Sequence, residues 1–454
     1  MPGISLQQIY ADAGVDVTLP SGLADQEITG FEIDSRQVTA GSVFVALPGA
    51  NTDGHDFLDK AIANGAQLLI VEREPAAKLD VPVLVVADCL KALGKLANCH
   101  RARCKGTIIG ITGSVGKTTA KDFLLQLLDA SPYFAYAAPK SYNSEIGLPL
   151  AMLGAPRHAD FIVLEYGINK PHEMQYLLDI VKPDLAALIA IGAAHLEGLD
   201  DVQTIAYEKN KLLQAVPESG KVWLDEHCKS LIDIQQQDWA ADVQVYDHAS
   251  YSYTFDGEKY LVEHPLLGAL QVACIAEYEL RTAMLMTEIA ISCKVSKQHI
   301  QEVLPQLQKP KGRMQRSCVA GIAFIDDAYN ANPLSMLAAL RALTELPCTG
   351  RRIAVLGSML ELGVREQQLH ADMGSSLEGL KIDSVVCIGD LATEIAKSAP
   401  STVETHCVAD CQAAAQYLET ACKAGDLVLL KASRGEQLEN ILVDFKKLSC
   451  NPIT

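Results

Sequence analysis

Apolar positions along the chain fall into short dense runs, separated by longer stretches in which they recur with a helical period. Thr107-Ile-Ile-Gly-Ile-Thr112, Phe161-Ile-Val-Leu-Glu-Tyr166 and Leu185-Ala-Ala-Leu-Ile-Ala-Ile-Gly192 are nearly continuous apolar runs. Runs without polar alternation predict strands buried on both faces, as in a parallel sheet covered by helices.

The pattern divides into three blocks. In residues 1–84, EITGFEIDSR, SVFVALPG, QLLIVER and VPVLVVAD read as strands, and DGHDFLDKAIANGA reads as a helix with an Asp start and a Gly stop. In residues 85–312, the helix CLKALGKLANCHRAR leads into the strand at 107–112 and a Gly-rich turn, and PKGR at 310–313 reads as a linker. In residues 313–454, the strands IAFIDD, RRIAVLG, DSVVCIG and DLVLLKAS alternate with the helices PLSMLAALRALTEL, TEIAKSA, CQAAAQYLETACKA and GEQLENILVDFKKL. The expected fold is therefore α/β in three domains: a small α/β unit, a central parallel-sheet unit and a doubly wound, Rossmann-like unit.

Composition narrows the function classes. A chain of 454 residues fits three domains at about 150 residues each. Apolar residues make up 49% and charged residues 21%, a globular balance rather than a disordered one. No apolar run reaches the roughly 18 residues of a membrane span, and MPGISLQQIYADAG lacks the layout of a signal peptide. A cytoplasmic location and a monomer are the expectations. The net charge of 38 − 56 = −18 argues against general nucleic-acid binding, but leaves room for a local basic pocket. The 13 cysteines contain no CxxC pair, and are expected to be reduced thiols rather than a zinc site.

The strongest motif is Gly110-Ile-Thr-Gly113-Ser114-Val-Gly116-Lys117-Thr118-Thr119, set between a strand and the helix KDFLLQLLDA. Gly113 and Gly116 let successive N–H groups curl around one anion, and the helix start adds its positive end. Lys117 supplies a cation to the β/γ-phosphates, and the Thr118 hydroxyl is a ligand for Mg²⁺. Glu165 closes the next strand, where an acid is well placed for the same ion. His195 follows the strand after that; a packing role and a ligand role stand level for it. Lys209, in TIAYEKNKLLQAV, reads by itself as a solvated helix lysine.

Further strings run from end to end of the chain. They are Asp34-Ser35-Arg36, Gly41–Gly49, Asp53-Gly54-His55, Asn143 with Ile146–Pro149, His195-Leu-Glu197-Gly with Ile205–Lys209, Asp326–Met336, Met359–Gly363 and Lys431-Ala-Ser433-Arg434. Together with the phosphate loop they resemble the Mur ligase superfamily, ATP-dependent amide ligases of cell-wall synthesis. Asp326-Asp-Ala-Tyr329-Asn-Ala-Asn332-Pro-Leu-Ser-Met336 is similar to the branch that adds D-alanyl-D-alanine to UDP-N-acetylmuramoyl-tripeptide.

The resemblance implies an acyl-phosphate mechanism with ATP and two Mg²⁺ ions. It makes 1–84 a UDP-sugar-binding domain, 85–312 an ATP-binding domain and 313–454 a ligase domain. It assigns catalysis to Lys117, Glu165, His195 and Lys209, with Lys209 carrying a carbamate. Metal ligation falls to Thr118, Glu165, His195 and Lys209. ATP contacts fall to Gly113, Ser114, Gly116, Lys117, Thr118, Thr119, Asn143, Arg313, Tyr329 and Asn332. Ser35, Arg36, Asp53 and His55 would face the UDP-sugar.

The chain departs from the family pattern at Ser144, His172, Lys211, Ser358 and around Gly268–Gln271, where no His-Asn turn is found. An altered nucleotide pocket is expected. Three readings stay open: the D-alanyl-D-alanine-adding ligase, a diverged amide ligase with another acid and amine, and an inactive nucleotide-binding protein.

Overall fold

The structure, a computed structural model, describes residues 3–49, 52–129, 132–232 and 239–450. The first unit opens with α1 (Leu6–Ala13). It continues through β1 (Gly30–Glu32), β2 (Ser42–Val45), α2 (Leu58–Ala63), β3 (Leu68–Val71) and β4 (Val83–Val85). The four strands form one parallel sheet in sequence order. β2 and β3 are buried at every position, as their unbroken apolar runs require.

The helix α3 (Cys89–Arg101), capped by Asp88 on the Lys91 N–H, leads into the central unit. Its elements are β5 (Thr107–Thr112), α4 (Lys117–Leu128), β6 (Ala135–Ala137), α5 (Gly147–Leu153), β7 (Phe161–Tyr166), α6 (Glu173–Ile180), β8 (Leu185–Leu188), α7 (Leu196–Leu199), α8 (Val202–Gln214), β9 (Lys221–Asp225) and β10 (Asp242–Tyr246). The strand order is β10-β9-β8-β5-β7-β6, with every pairing parallel. β5 is therefore central, flanked by β7 and β8, and its carboxyl end opens onto the carboxyl ends of both.

An antiparallel sheet, β11 (Ser252–Phe255), β12 (Tyr260–His264) and β13 (Gly268–Val272), follows; the sequence reading had not placed it. Its sides alternate: Tyr260, Val262 and His264 are buried, and Leu261 and Glu263 are exposed. It shares an apolar core with α9 (Glu277–Ser292), α10 (Lys297–Val303) and α4.

The third unit runs β14 (Gln315–Val319), β15 (Ile322–Asp326), α11 (Pro333–Glu345), β16 (Arg352–Leu356), α12 (Glu366–Ser375), β17 (Ser384–Ile388), α13 (Ala392–Ser398), β18 (Glu404–Val408), α14 (Cys411–Ala421), β19 (Leu427–Lys431) and α15 (Glu439–Cys450). Its order is β14-β15-β19-β16-β17-β18, parallel except for the edge strand β14. Separate apolar cores cover its two faces, one under α11–α13 and one under α14 and α15. Helices on both faces make this unit doubly wound. A single core joins the first and central units, running from Leu68 and Ile70 through Leu93 and Leu96 to Ile162 and Leu164. No helix among the described residues is long and apolar enough to cross a membrane.

Candidate active site

The turn between β5 and α4 is built to hold an anion. Gly116, the residue before the helix, has φ +82°, a left-handed conformation that glycine adopts without strain. No side chain caps the helix, so its first N–H groups stay available to a phosphate. Gly113 packs on β8: a Cβ there would lie 2.6 Å from Ile189 Cγ1. Ser114 ties the loop to that wall, donating to the Gly192 carbonyl and accepting its N–H, both at 3.0 Å.

Lys117 folds back and donates to the Gly113 carbonyl at 2.7 Å. Burial lowers its amine to about 8, with Glu165 opposing the shift and Arg313 adding to it. Thr118 Oγ1 sits between three groups: Ser141 Oγ at 2.7 Å, Glu165 Oε2 at 3.1 Å and Arg313 Nη2 at 3.2 Å.

Glu165 is buried opposite Ile111 of β5. Its Oε2 also accepts from Asn143 Nδ2 at 3.4 Å, whereas Oε1 has no hydrogen bond. Lys121 Nζ stands 3.6 Å from Oε1, and is itself fixed by the Ala138 carbonyl at 2.6 Å and the Lys140 carbonyl at 3.3 Å. A buried carboxylate with a bare oxygen, two hydroxyls at Thr118 and Ser141 and an amide oxygen nearby make an all-oxygen set that suits Mg²⁺.

Lys209 is not a solvated lysine. It is 1% exposed on α8, and its Nζ has no hydrogen-bond partner. Burial, with Lys117 adding repulsion, pushes its amine well below the ordinary lysine range. Helical spacing carried a hint of this, because Ile205, Leu212 and Leu213, four before and three and four after Lys209, are apolar and buried on its face of α8.

His195 takes a left-handed φ of +54° before α7, and its Nδ1 lies 2.5 Å from Glu361 Oε2 of the third unit. That contact holds the Glu361 carboxyl below its usual range. The Glu197 N–H donates to the Glu361 carbonyl at 3.2 Å.

More of the third unit reaches the phosphate loop. Tyr329 Oη shares a hydrogen bond with Ser141 Oγ at 3.1 Å. The Arg313 guanidinium stacks on the Tyr329 ring at 4.4 Å, and Arg434 approaches the same ring at 6.0 Å. Asn332 caps α11: its Oδ1 accepts the Ser335 N–H at 2.9 Å, ahead of Pro333 in the first turn.

The four residues expected at a UDP-sugar lie in the first unit. Asp34 grips Arg36 at 2.8 Å, which holds the Asp34 carboxyl well below its usual range. Ser35 is buried, and its carbonyl accepts from Asn64 Nδ2 at 2.7 Å. Asp53 accepts from Arg73 at 2.7 Å and pairs with His55 Nδ1 at 2.6 Å, while His55 Nε2 accepts the Glu72 N–H at 2.9 Å. Lys140 donates to Gln37, so loop 34–37 borders the segment that carries Ser141.

Sequence reasoning passed over Lys121 and Ser141, and gave Glu361 no role of its own. Glu361 lay within a noted motif; Lys121 and Ser141 carried only their nearness to the phosphate loop and to Asn143.

A phosphate loop, a buried strand-end carboxylate and a second domain clasping both define a P-loop protein that uses a nucleotide between two α/β units. Three domain families match in order: the catalytic domain of the Mur ligase family at residues 27–101, the Mur ligase middle domain at 111–273, and the Mur ligase glutamate ligase domain at 312–434. The UDP-N-acetylmuramoyl-tripeptide–D-alanyl-D-alanine ligase of Mycobacterium leprae (strain TN) is 31% identical over 94% of each chain. The Bacillus subtilis (strain 168) protein of that name is 28% identical over 92% of this chain and 93% of its own. Among solved structures, MurF from Acinetobacter baumannii superposes with a TM-score of 0.84 at 26% identity, covering 98% of this chain and 99% of that one. MurF from Thermotoga maritima in complex with ADP gives 0.79 at 28% identity, covering 92% and 97%. The chain belongs to the Mur ligase family.

Proposed function

We propose that this chain is the ATP-dependent ligase that joins D-alanyl-D-alanine to UDP-N-acetylmuramoyl-tripeptide, acting in the cytoplasm as a monomer. The observation that carries the reading is the clasp between units: Arg313, Tyr329 and Glu361 of the third unit meet Thr118, Ser141 and His195 of the P-loop unit. End-to-end likeness to ligases of that name supports the choice of substrates.

In this reading 1–84 holds the UDP-sugar, 85–312 holds ATP and 313–454 presents the amine. A terminal carboxylate oxygen of the tripeptide attacks the γ-phosphorus, and ADP departs. The dipeptide amine attacks the acyl carbon, the amide forms, and the oxygen that bridged to phosphorus leaves with inorganic phosphate. Lys117 leaves the Gly113 carbonyl to hold the β/γ-phosphates, and Arg313 adds charge from the hinge. The free N–H groups of α4 cradle the phosphates, with Ser114, Gly116 and Thr119 lining that turn. Asn143 orients Glu165, and Asn332 and Tyr329 border the nucleotide. Closure excludes water from the acyl phosphate.

Thr118 and Glu165 would hold one Mg²⁺, and Glu165 with His195 the second. Such ions supply charge neutralisation to the transferring phosphoryl group. Burial disfavours the charged form of the unpartnered Lys209 amine, the uncharged form is the one that adds CO₂, and a carbamate there would present two further oxygens to the metal site.

The test is phosphate release from ATP by purified protein with UDP-N-acetylmuramoyl-tripeptide, Mg²⁺ and bicarbonate. Release that requires D-alanyl-D-alanine and matches pentapeptide by mass supports the reading. Turnover only with another acid or amine would transfer it to a diverged ligase, and ATP binding without turnover to a binding protein.

A further inference from the structure

The carboxyl end of β9 carries a second set of donor atoms, apart from the phosphate loop. The Asp225 carboxylate accepts the His227 N–H at 3.0 Å and shapes the turn Glu226–Cys228. The Asp247 carboxylate accepts the Ala249 N–H at 2.8 Å and shapes the turn His248–Ser250. β9 and β10 are parallel neighbours with Asp225 opposite Tyr246, so the two turns lie side by side. One donor atom from each of Glu226, His227 and His248 falls within 4.8 Å of the others.

The imidazoles are already oriented. His227 Nδ1 lies 3.1 Å from Asp225 Oδ1, and His248 Nδ1 lies 2.8 Å from Glu226 Oε1. The Asp225 carboxylate at Nδ1 fixes the His227 ring so that Nε2 keeps its lone pair for a cation, while Glu226 would exchange its contact with His248 for that ion. A cation stands there: Arg281 Nη2 is 2.9 Å from Nε2 of each ring. It is also within 3.4 Å of both Nδ1 atoms, so it spreads over two rings and serves no single lone pair. Its Nε is buried without a hydrogen bond, although the Glu277 carboxylate lies 3.6 Å away, one turn back on α9. The guanidinium thus has a carboxylate to move to when another cation takes the imidazoles.

We propose that Glu226, His227 and His248 form a binding site for a divalent transition cation such as zinc, with Arg281 as its displaceable occupant. Two imidazoles and a carboxylate suit a borderline-soft ion, whereas Mg²⁺ prefers oxygen alone. The His227 side chain is 55% exposed, which leaves the ion a path from solvent. Asp225 is the positioning carboxylate for His227. The site shares no residue with the set around Glu165, so it stands whether or not the ligase reading holds.

Calorimetric titration of the full chain with zinc, in excess Mg²⁺ to fill all-oxygen sites, tests the proposal. One zinc per chain is expected. His227→Ala and His248→Ala should each weaken binding by about tenfold or more, as should Asp225→Asn, on the scale of losing ligand support. Arg281→Ala should tighten it, a gain that misfolding cannot imitate. The cobalt-loaded protein should show visible bands without the charge-transfer band of thiolate ligation. Absence of saturable zinc uptake would overturn the proposal. So would unchanged affinity in both histidine variants, no tightening in Arg281→Ala, or a thiolate spectrum at full loading.

Discussion

Lys117 and Lys209 show how burial prepares two amines for opposite tasks. The Lys117 amine titrates near 8, below its ordinary 10.5, so between those values the nucleotide-free protein holds fewer protons than a lysine in water. Bound phosphates favour the charged form and restore the ordinary order. ADP binding should therefore take up protons above about pH 8, towards one per chain as the pH rises, and none near pH 7. Calorimetry in buffers of different ionisation enthalpy measures the count; proton release at roughly pH 9 would contradict the argument. Lys209 has neither a carboxylate nor a phosphate to keep it charged, which is the ground for the proposed carbamate. Carbon-13 bicarbonate should give a carbamate resonance that Lys209→Arg abolishes, with activity falling by about 10²-fold or more. A signal that survives the substitution would place the carbamate elsewhere. The sequence announced Lys117 through its neighbours, because a phosphate loop is a local device. It also placed Lys209 on the apolar side of α8 with Ile205, Leu212 and Leu213, but a lysine there reads as one whose stem is covered while its amine reaches solvent.

α4 is set apart by the Gly-rich turn before it rather than by lacking a side-chain cap, since α5, α6, α12 and α13 lack one too. α3, α8 and α11 are capped by Asp88, Asp201 and Asn332. α9 is held differently: Glu279 accepts the Ile275 and Ala276 N–H groups at 3.0 and 3.2 Å and pairs with Lys309 at 2.8 Å. That pair ties the helix to the hinge before Arg313. Glu279→Ala should destabilise the protein by about 3–5 kcal/mol, because it strands a largely buried Lys309. Urea unfolding checks this, and a change below 1 kcal/mol would show the tie to be dispensable.

Element types were largely legible, since continuous apolar runs and 3.6-residue periods carry them. The β11–β13 meander was not, because exposed Leu261 and buried His264 blur the apolar-polar alternation that its burial follows, and its turns are four and three residues long. His172, where the family usually has glycine, sits at φ +70° before α6. The pattern marked the departure, and the backbone shows what the glycine is for.

At the scale of the molecule, the first and central units share one core, and the core of the third unit takes in Ile275 and Ala276 of the central unit, with polar contacts added at the site. His195 and Glu361 are 166 residues apart in sequence, which is why no local pattern could reveal their pairing. Removing it in Glu361→Gln should raise the KM for ATP a few-fold, on the scale of the ~0.2–1 kcal/mol of a partly exposed pair. Small-angle scattering should show a more open nucleotide-free form. An unchanged KM and profile would deny the clasp a role in closure. Transfer of phosphate to a carboxylate, and then of the acyl group to an amine, has a direct isotopic test. UDP-N-acetylmuramoyl-tripeptide labelled with oxygen-18 in its terminal carboxylate is turned over with ATP and D-alanyl-D-alanine, and the released phosphate is weighed. Each released phosphate should carry one labelled oxygen for each amide formed; unlabelled phosphate would rule out the acyl-phosphate route.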